Sequence, residues 1–297
     1  MIYTMEYIIE KNKLGYYEVA NKPSKESLEK YYANKYYNDD NQKGQYKQNY
    51  NEEEIKYINN YSKRIYGVIK DKLKNKVDKK FLDVGCGEGF MLNSFKGFGF
   101  DVLGLDYSKV GITNHNKDML EYFEEGDIYK SIDNLINESK KFDVINLTNV
   151  LEHVIDPVYI LNLLKKLLTE DGILIIRVPN DFSILHENLE KNKYIDKQFW
   201  VAPPDHLSYF NLESLKNISD NCGYQVLFNM SDYPIDFDLL EDHTNYTKQN
   251  VGKHSHIKRM RIDNLLCETS IEKTNEYYNK LSELGFGRNI TIFLKIK

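Results

Sequence analysis

The sequence predicts an α/β fold: a doubly wound, mainly parallel sheet with helices on both faces. Two observations carry that prediction. Between Lys80 and Asn180, short apolar runs alternate with amphipathic helical stretches, the pattern of strands buried on both faces by crossover helices. The first run, Phe81-Leu82-Asp83-Val84, leads directly into a glycine-rich turn and a helix. A strand, tight turn and helix in that order cradle nucleotide-like ligands, because glycine lets the backbone come close and the helix start offers free N–H groups.

The 297 residues, 41% of them apolar, suit one large domain or one domain with additions. Residues 1–79 are expected to form an N-terminal helical cap. Within them, Pro23 to Leu28 reads as a turn entering a helix, with Ser24 as N-cap. Asn38 to Asn51 reads as a loop, and Glu52 to Leu73 as a helix with a stripe at Ile55, Ile58, Ile65, Val68 and Ile69. The ligand-binding core is expected over 80–231. A second strand, Asp101 to Asp106, ends in an acid, and a further strand runs from Phe142 to Leu147. Asp156 and Pro157 open a helix as N-cap and first residue. Its buried stripe is Ile160, Leu163, Leu164, Leu167 and Leu168. Ile173 to Val178 is another strand. An aromatic loop region follows from Asp181 to Phe210, then a helix from Asn211 to Cys222 stopped by Gly223, then a strand from Tyr224 to Asn229. Residues 232–284 are expected to be a helical insertion over the site, and 285–297 to carry the last core strand.

Composition excludes several classes. A formal charge of -5 gives no general attraction to nucleic acid or an anionic membrane. No apolar run of about 18 residues exists, so no membrane span is expected. The start MIYTMEYIIEKNK lacks the pattern of a signal peptide. Cys86, Cys222 and Cys267 are too scattered for a disulfide framework or metal spacing, and no tight Asp/Glu/His cluster suggests a metal. A cytoplasmic protein without metal is the expectation. The 24 tyrosines suit contact with sugars or nucleotides, and A/T-rich codon use accounts for them equally.

The turn reads G-x-G-x-G at Gly85, Gly87 and Gly89. It is neither the G-x-G-x-x-G of a dinucleotide site nor a phosphate-binding P-loop. Asp83 precedes it. Asp106 ends the next strand, where an acid can bind ribose hydroxyls. Gly126-Asp127-Ile128 offers a third acid, suited to an adenine amino group.

On these residues the chain resembles the class I S-adenosylmethionine-dependent methyltransferases. Phe81 to Gly89 looks like their first motif, Gly104 to Ser108 the second, and Glu125 to Ile128 the third. Phe142 to Val154, with Asn149-Val150-Leu151-Glu152-His153, is similar to the fourth in its ubiquinone-biosynthesis-like form. The resemblance covers roughly 80–230 and the final strand. It implies a Rossmann-like seven-stranded sheet with an antiparallel last strand, and S-adenosyl-L-methionine as cofactor. It further implies that Gly85, Cys86, Gly87 and Gly89 lie along the methionine and ribose. Asp83 would orient the loop or the amine, and Asp106 would chelate the ribose. Tyr107 would pack on adenine, Asp127 and Ile128 would bind its edge, and Asn149 would face the methionine end.

Residues 24–37 and the stretch Trp200 to Phe210 are similar to segments of capsule and O-antigen sugar methyltransferases. That likeness implies methylation of a sugar hydroxyl, for example on a GDP-heptose. Trp200 and Tyr209 would then belong to a substrate loop. His206 is a candidate base or a loop anchor, and Asp205 beside it is a candidate to orient or replace it. His153 is a candidate base or a shaper of the cofactor pocket. Trp200 is a stacking platform or a core residue. The basic stretch Lys253 to Arg261, with Arg259 and Arg261, fits a diphosphate or a solvated helix face. A small aromatic or lipid acceptor, or cofactor binding without catalysis, stays open, and a homodimer is compatible with the sequence.

Overall fold

A computed structural model describes residues 7–28, 31, 49–73 and 76–297. Most of 38–51 and of the 24–37 leader lies outside the described residues. At its centre is a seven-stranded sheet. Its parallel strands are β3 (Lys80–Val84), β4 (Asp101–Asp106), β5 (Phe123–Glu125), β6 (Phe142–Thr148) and β7 (Leu168–Pro179). Strands β9 (Tyr224–Ser231) and β10 (Asn289–Ile296) complete it in the order β5-β4-β3-β6-β7-β10-β9. β10 runs antiparallel to both β7 and β9. The order reverses between β3 and β6, and it is outside the strand ends at such a reversal that open α/β sheets bind ligands.

Period-two alternation assigns the two faces. Leu82, Val84, Ile145, Leu147, Leu174 and Ile176 point into one apolar cluster, Phe81, Val144, Ile173, Ile175 and Phe293 into the other. The first face is covered by α4 (Ile128–Asn137), α5 (Pro157–Leu167) and α7 (Leu212–Asn221). The second is covered by α1 (Glu52–Ile69), α2 (Phe90–Gly97) and α9 (Ile271–Glu283). Side-chain caps start all of these helices but α2, which begins after Gly89. Asn51 forms a capping box with Glu54 for α1, Asp156 caps α5 ahead of Pro157, and Asn211 boxes with Ser214 for α7.

The N-terminal segment is not all helix. β1 (Ile9–Lys11), β2 (Tyr17–Val19) and β8 (Ser208–Tyr209) form a separate three-stranded sheet. Strands of two or three residues leave no readable period. A turn at Gly15 (φ +92°) and the burial of Val19 against Trp200, Leu207 and Tyr209 hold them instead. Within 232–284, α8 (Gly252–Thr269) lies along α1, and α9 lies on β9. The α8 seam is polar: Asn60 donates to Asn264, and Asn264 donates to the Glu53 carbonyl. Among the described residues no helix is long and apolar enough to cross a membrane.

Candidate active site

Every glycine of the 85–89 turn sits at positive φ: +75° for Gly85, +52° for Gly87 and +75° for Gly89. A Cβ on Gly85 would lie 2.4 Å from Val150 Cγ2. The turn therefore needs glycine for both conformation and space. Asp106 fastens it from β4: Oδ2 accepts from the Gly87 N–H at 2.8 Å and Oδ1 from the Ser108 N–H at 3.1 Å. The carboxylate still has acceptor capacity for a hydroxyl donor. Burial pushes the Asp106 carboxyl up, and the backbone N–H groups of Gly87, Ser108 and Tyr107 pull it back.

Asp83 is 2% exposed. Asn146 Nδ2 donates to its Oδ1 at 2.7 Å, and Thr148 Oγ1 donates to Asn146 Oδ1 at 3.0 Å. Burial pushes the Asp83 carboxyl up to about 7. A buried carboxyl poised near neutrality suits a cationic ligand group, which would draw off its proton. Asn149 follows β6 at φ +54°, its N–H donating to the Arg177 carbonyl. Cys86 is buried, and burial drives its thiol up, away from nucleophilic use. Tyr107 lies at the surface just beyond Asp106, and Ile128 is the buried first residue of α4. Asp127 caps that helix, accepting from Tyr129 and Lys130 N–H, and pairs with Lys25 at 3.3 Å.

A cavity of about 540 Å³ opens from the glycine turn toward α1, β7 and α8. One wall carries Asp83, Gly85, Cys86, Glu88 and Asn149. The side formed by α1, β7 and α8 carries Glu54, Tyr57, Tyr61, Arg177, His256 and Met260. Tyr50 spans to the loop, its hydroxyl donating to the Glu88 carboxylate at 2.7 Å. The Arg177 guanidinium lies 4.7 Å from the Tyr61 ring centre, and its Nη2 donates to Asp232 at 3.0 Å. Sequence reasoning missed Arg177, Tyr57 and Tyr61. A signal was present: Arg177 is the one cation inside the apolar run Ile173 to Val178.

The three candidate catalytic residues gather in one place, but not on that cavity wall. The His153 and His206 rings are 4.9 Å apart. His153 Nδ1 lies 2.6 Å from the Asp205 carbonyl. A carbonyl only accepts, so Nδ1 carries the proton and Nε2 the basic lone pair. Nε2 is 3.9 Å from the carboxylate of Glu152, a buried acid that burial pushes up and that His153 and Arg177 pull down. Glu152, His153 and His206 each bring one donor atom within 4.8 Å of the others, a spacing that could hold a cation and that the sequence did not reveal, because His206 lies far along the chain from the adjacent Glu152 and His153.

The substrate candidates divide. Trp200 is 3% exposed and stacked on His186 at 4.0 Å, so its ring is a core surface, not an open platform. Tyr209 is buried, its hydroxyl donating to the His206 carbonyl, which anchors the loop. Arg259 lies 5.7 Å from the Tyr57 ring centre and donates to His256 Nδ1, beside the cavity. Arg261 is exposed and paired with Glu53 at 3.3 Å, on a solvated helix face.

The donor set fits an adenosyl amino acid: a glycine cradle, an acid with spare acceptors at the end of β4, and a poised buried acid beside the turn. Comparisons with known proteins agree. The curated relatives include the ubiquinone biosynthesis O-methyltransferase of Glaesserella parasuis serovar 5, 35% identical over 120 residues, 38% of this chain and 50% of that protein. Another, from Vibrio atlanticus, is 27% identical over 168 residues, 54% of this chain and 68% of that protein. The chain thus spans about half the length of the first of these. Among solved structures, the plantazolicin methyltransferase BamL, in complex with a triazolic desmethylPZN analog and SAH, superposes with a TM-score of 0.50 at 15% identity. That match covers 92% of this chain and 91% of BamL, and shows the shared fold. A family profile described as a methyltransferase domain matches residues 57–228, more than half of the sequence, and the chain belongs to that methyltransferase domain family.

Proposed function

We propose that the protein is an S-adenosylmethionine-dependent O-methyltransferase, and that its acceptor is the hydroxyl of a sugar, in the finest reading a nucleotide-activated sugar for capsule or lipopolysaccharide. The observation that carries this reading is the two-sided cavity: the glycine turn and acids on one wall, tyrosines and cations on the other. Bound there, the cofactor supplies a methyl group on a sulfonium, already an activated leaving group, so that alignment provides much of the rate. Asp106 would take the ribose hydroxyls and Asp83 the amine. The Gly85–Gly89 backbone would lie along the amino acid and ribose. Tyr107, Asp127 and Ile128 would meet the adenine, and Asn149 the methionine end.

The opposite wall offers what a sugar needs: the Tyr57 and Tyr61 rings for its apolar faces and their hydroxyls for its oxygens. The imidazole centre lies off the cavity lining, so the acceptor proton would reach it through a relay such as water, with Nε2 of His153 carrying the lone pair and His206 adjoining it. A second reading, an aromatic acceptor, draws on the relatives named for ubiquinone biosynthesis. Release of S-adenosylhomocysteine across a panel of nucleotide sugars, free sugars and catechols separates the readings. Turnover with a nucleotide sugar supports the first. Turnover confined to catechols replaces it with the second, and tight cofactor binding with no turnover on any acceptor favours a non-catalytic binder.

A further inference from the structure

We infer that Arg177, with Arg259 beside it, forms an oxyanion subsite that selects an acceptor bearing a phosphate or carboxylate. This rests on the reading of the cavity as a methyl-transfer site and names the chemical class its far wall accepts.

Arg177 is carried on β7, next to the end of β6, where its backbone carbonyl accepts from Asn149. Its side chain is 16% exposed and lines the cavity. Two contacts hold the guanidinium still: the Tyr61 ring at 4.7 Å and Asp232 at 3.0 Å. Asp232 is itself fixed, because its Oδ1 accepts the N–H groups of Arg288 and Asn289. One contact uses one of the five guanidinium donors. Nε is buried and has no hydrogen-bond partner among the described residues. A buried charged donor without an acceptor costs more than a routine hydrogen bond returns, so the guanidinium is under-satisfied within the chain, and an oxyanion reaching its cavity-facing side would offset part of that cost.

Arg259, on α8, repeats the arrangement against Tyr57, one turn along α1 from Tyr61. Its guanidinium is 5.7 Å from the Tyr57 ring centre, and its Nε is likewise buried without a partner among the described residues. Its Nη2 donates to His256 Nδ1, which leaves the His256 proton on Nε2 and makes that ring a hydrogen-bond donor too. Both arginines act electrostatically on Tyr57, so they flank one site. That side of the cavity is donor-rich apart from Glu54 at the start of α1, while Asp83 and Glu88 line the glycine-turn side. A cofactor with a sulfonium and an amine belongs against the acids, and an oxyanion belongs against the arginines.

Calorimetry tests this with four probes: S-adenosylhomocysteine, 5′-methylthioadenosine, which lacks the amino acid and its carboxylate, and UDP and inorganic pyrophosphate, each added to protein saturated with S-adenosylhomocysteine. For Arg177→Gln the expected result is UDP affinity lowered about tenfold or more, with both cofactor probes within about twofold of the parent. Arg177→Lys, which keeps the charge without the fork, should recover only part of the loss. Unchanged 5′-methylthioadenosine binding certifies that the variants fold. If S-adenosylhomocysteine alone weakens, Arg177 serves the cofactor carboxylate and the proposal is overturned. It is equally overturned if the parent binds S-adenosylhomocysteine but not UDP or inorganic pyrophosphate, an outcome that leaves the methyltransferase reading standing. Failure of the parent to bind S-adenosylhomocysteine would remove that underlying reading itself.

Discussion

Replacing Asp83 by asparagine should make the protein more stable above neutral pH and a poorer cofactor binder. Asp83 is almost wholly buried and takes one hydrogen bond, from Asn146. Burial raises its carboxyl from the ordinary 3.8 to about 7. Between those values the folded protein holds a proton that the unfolded chain has released. Stability from this group is therefore complete below about pH 4 and falls as pH rises through 7. At roughly 1.4 kcal/mol per unit, the loss is about 4 kcal/mol by pH 8, of which about 3 kcal/mol falls between pH 5 and pH 8. Asparagine keeps the shape and an acceptor for Asn146 but does not ionise. Urea denaturation of parent and Asp83→Asn, followed by the fluorescence of the single tryptophan, should thus show the variant gaining about 3 kcal/mol on the parent from pH 5 to pH 8. The same variant should bind S-adenosylhomocysteine more weakly. Parent affinity should rise with pH through about 7 as the ionised acid meets the ligand amine, and that rise should be absent in the variant. Stability differences equal at both pH values would refute the reasoning, because they would mean that Asp83 ionises like an exposed acid.

Three further outcomes are expected. Asp106→Ala should lower S-adenosylhomocysteine affinity at least about tenfold, since charge-assisted hydrogen bonds are worth roughly 1.5–3 kcal/mol each; calorimetry showing parent affinity in a folded variant would cancel the ribose assignment. Arg261→Ala should leave the acceptor KM within about twofold, its ion pair being exposed, while Arg259→Ala should raise it; steady-state kinetics giving the reverse order would move the acceptor to the outer face of α8. His206→Ala should reduce kcat about 10²-fold or more with cofactor binding retained, and His153→Ala should affect both; a parent-like kcat in both variants would transfer the proton to another group.

The half of the site proposed to hold the cofactor was legible as structure because its elements are local. The Gly85–Gly89 turn, Asp83 and Asp106 each belong to a strand end, and the strand-turn-helix rhythm announces itself in a window of a few residues. The sheet was legible for the same reason, since its strands are apolar runs separated by helical stripes. The far wall was not. Tyr57, Arg177 and His256 come from α1, β7 and α8, and only packing brings them together. Trp200 shows the converse. As a lone tryptophan in a loop it fitted a platform or a core residue, and its stacking on His186 and its place in the third apolar cluster decide for the core. Lys253 to Arg261 read as one basic patch, but the helix turns Arg259 toward Tyr57 and Arg261 toward Glu53. The β1–β2 hairpin was hidden because three-residue strands carry no period.

The central claim is that one cavity holds the cofactor on its acid wall and the acceptor on its tyrosine and arginine wall. A crystal structure with S-adenosylhomocysteine tests it most directly. The account predicts ribose hydroxyls on Asp106, the amine toward Asp83, and the sulfur facing Tyr57, Tyr61 and Arg177. Ligand lying elsewhere, or with its sulfur turned away from that wall, would contradict it.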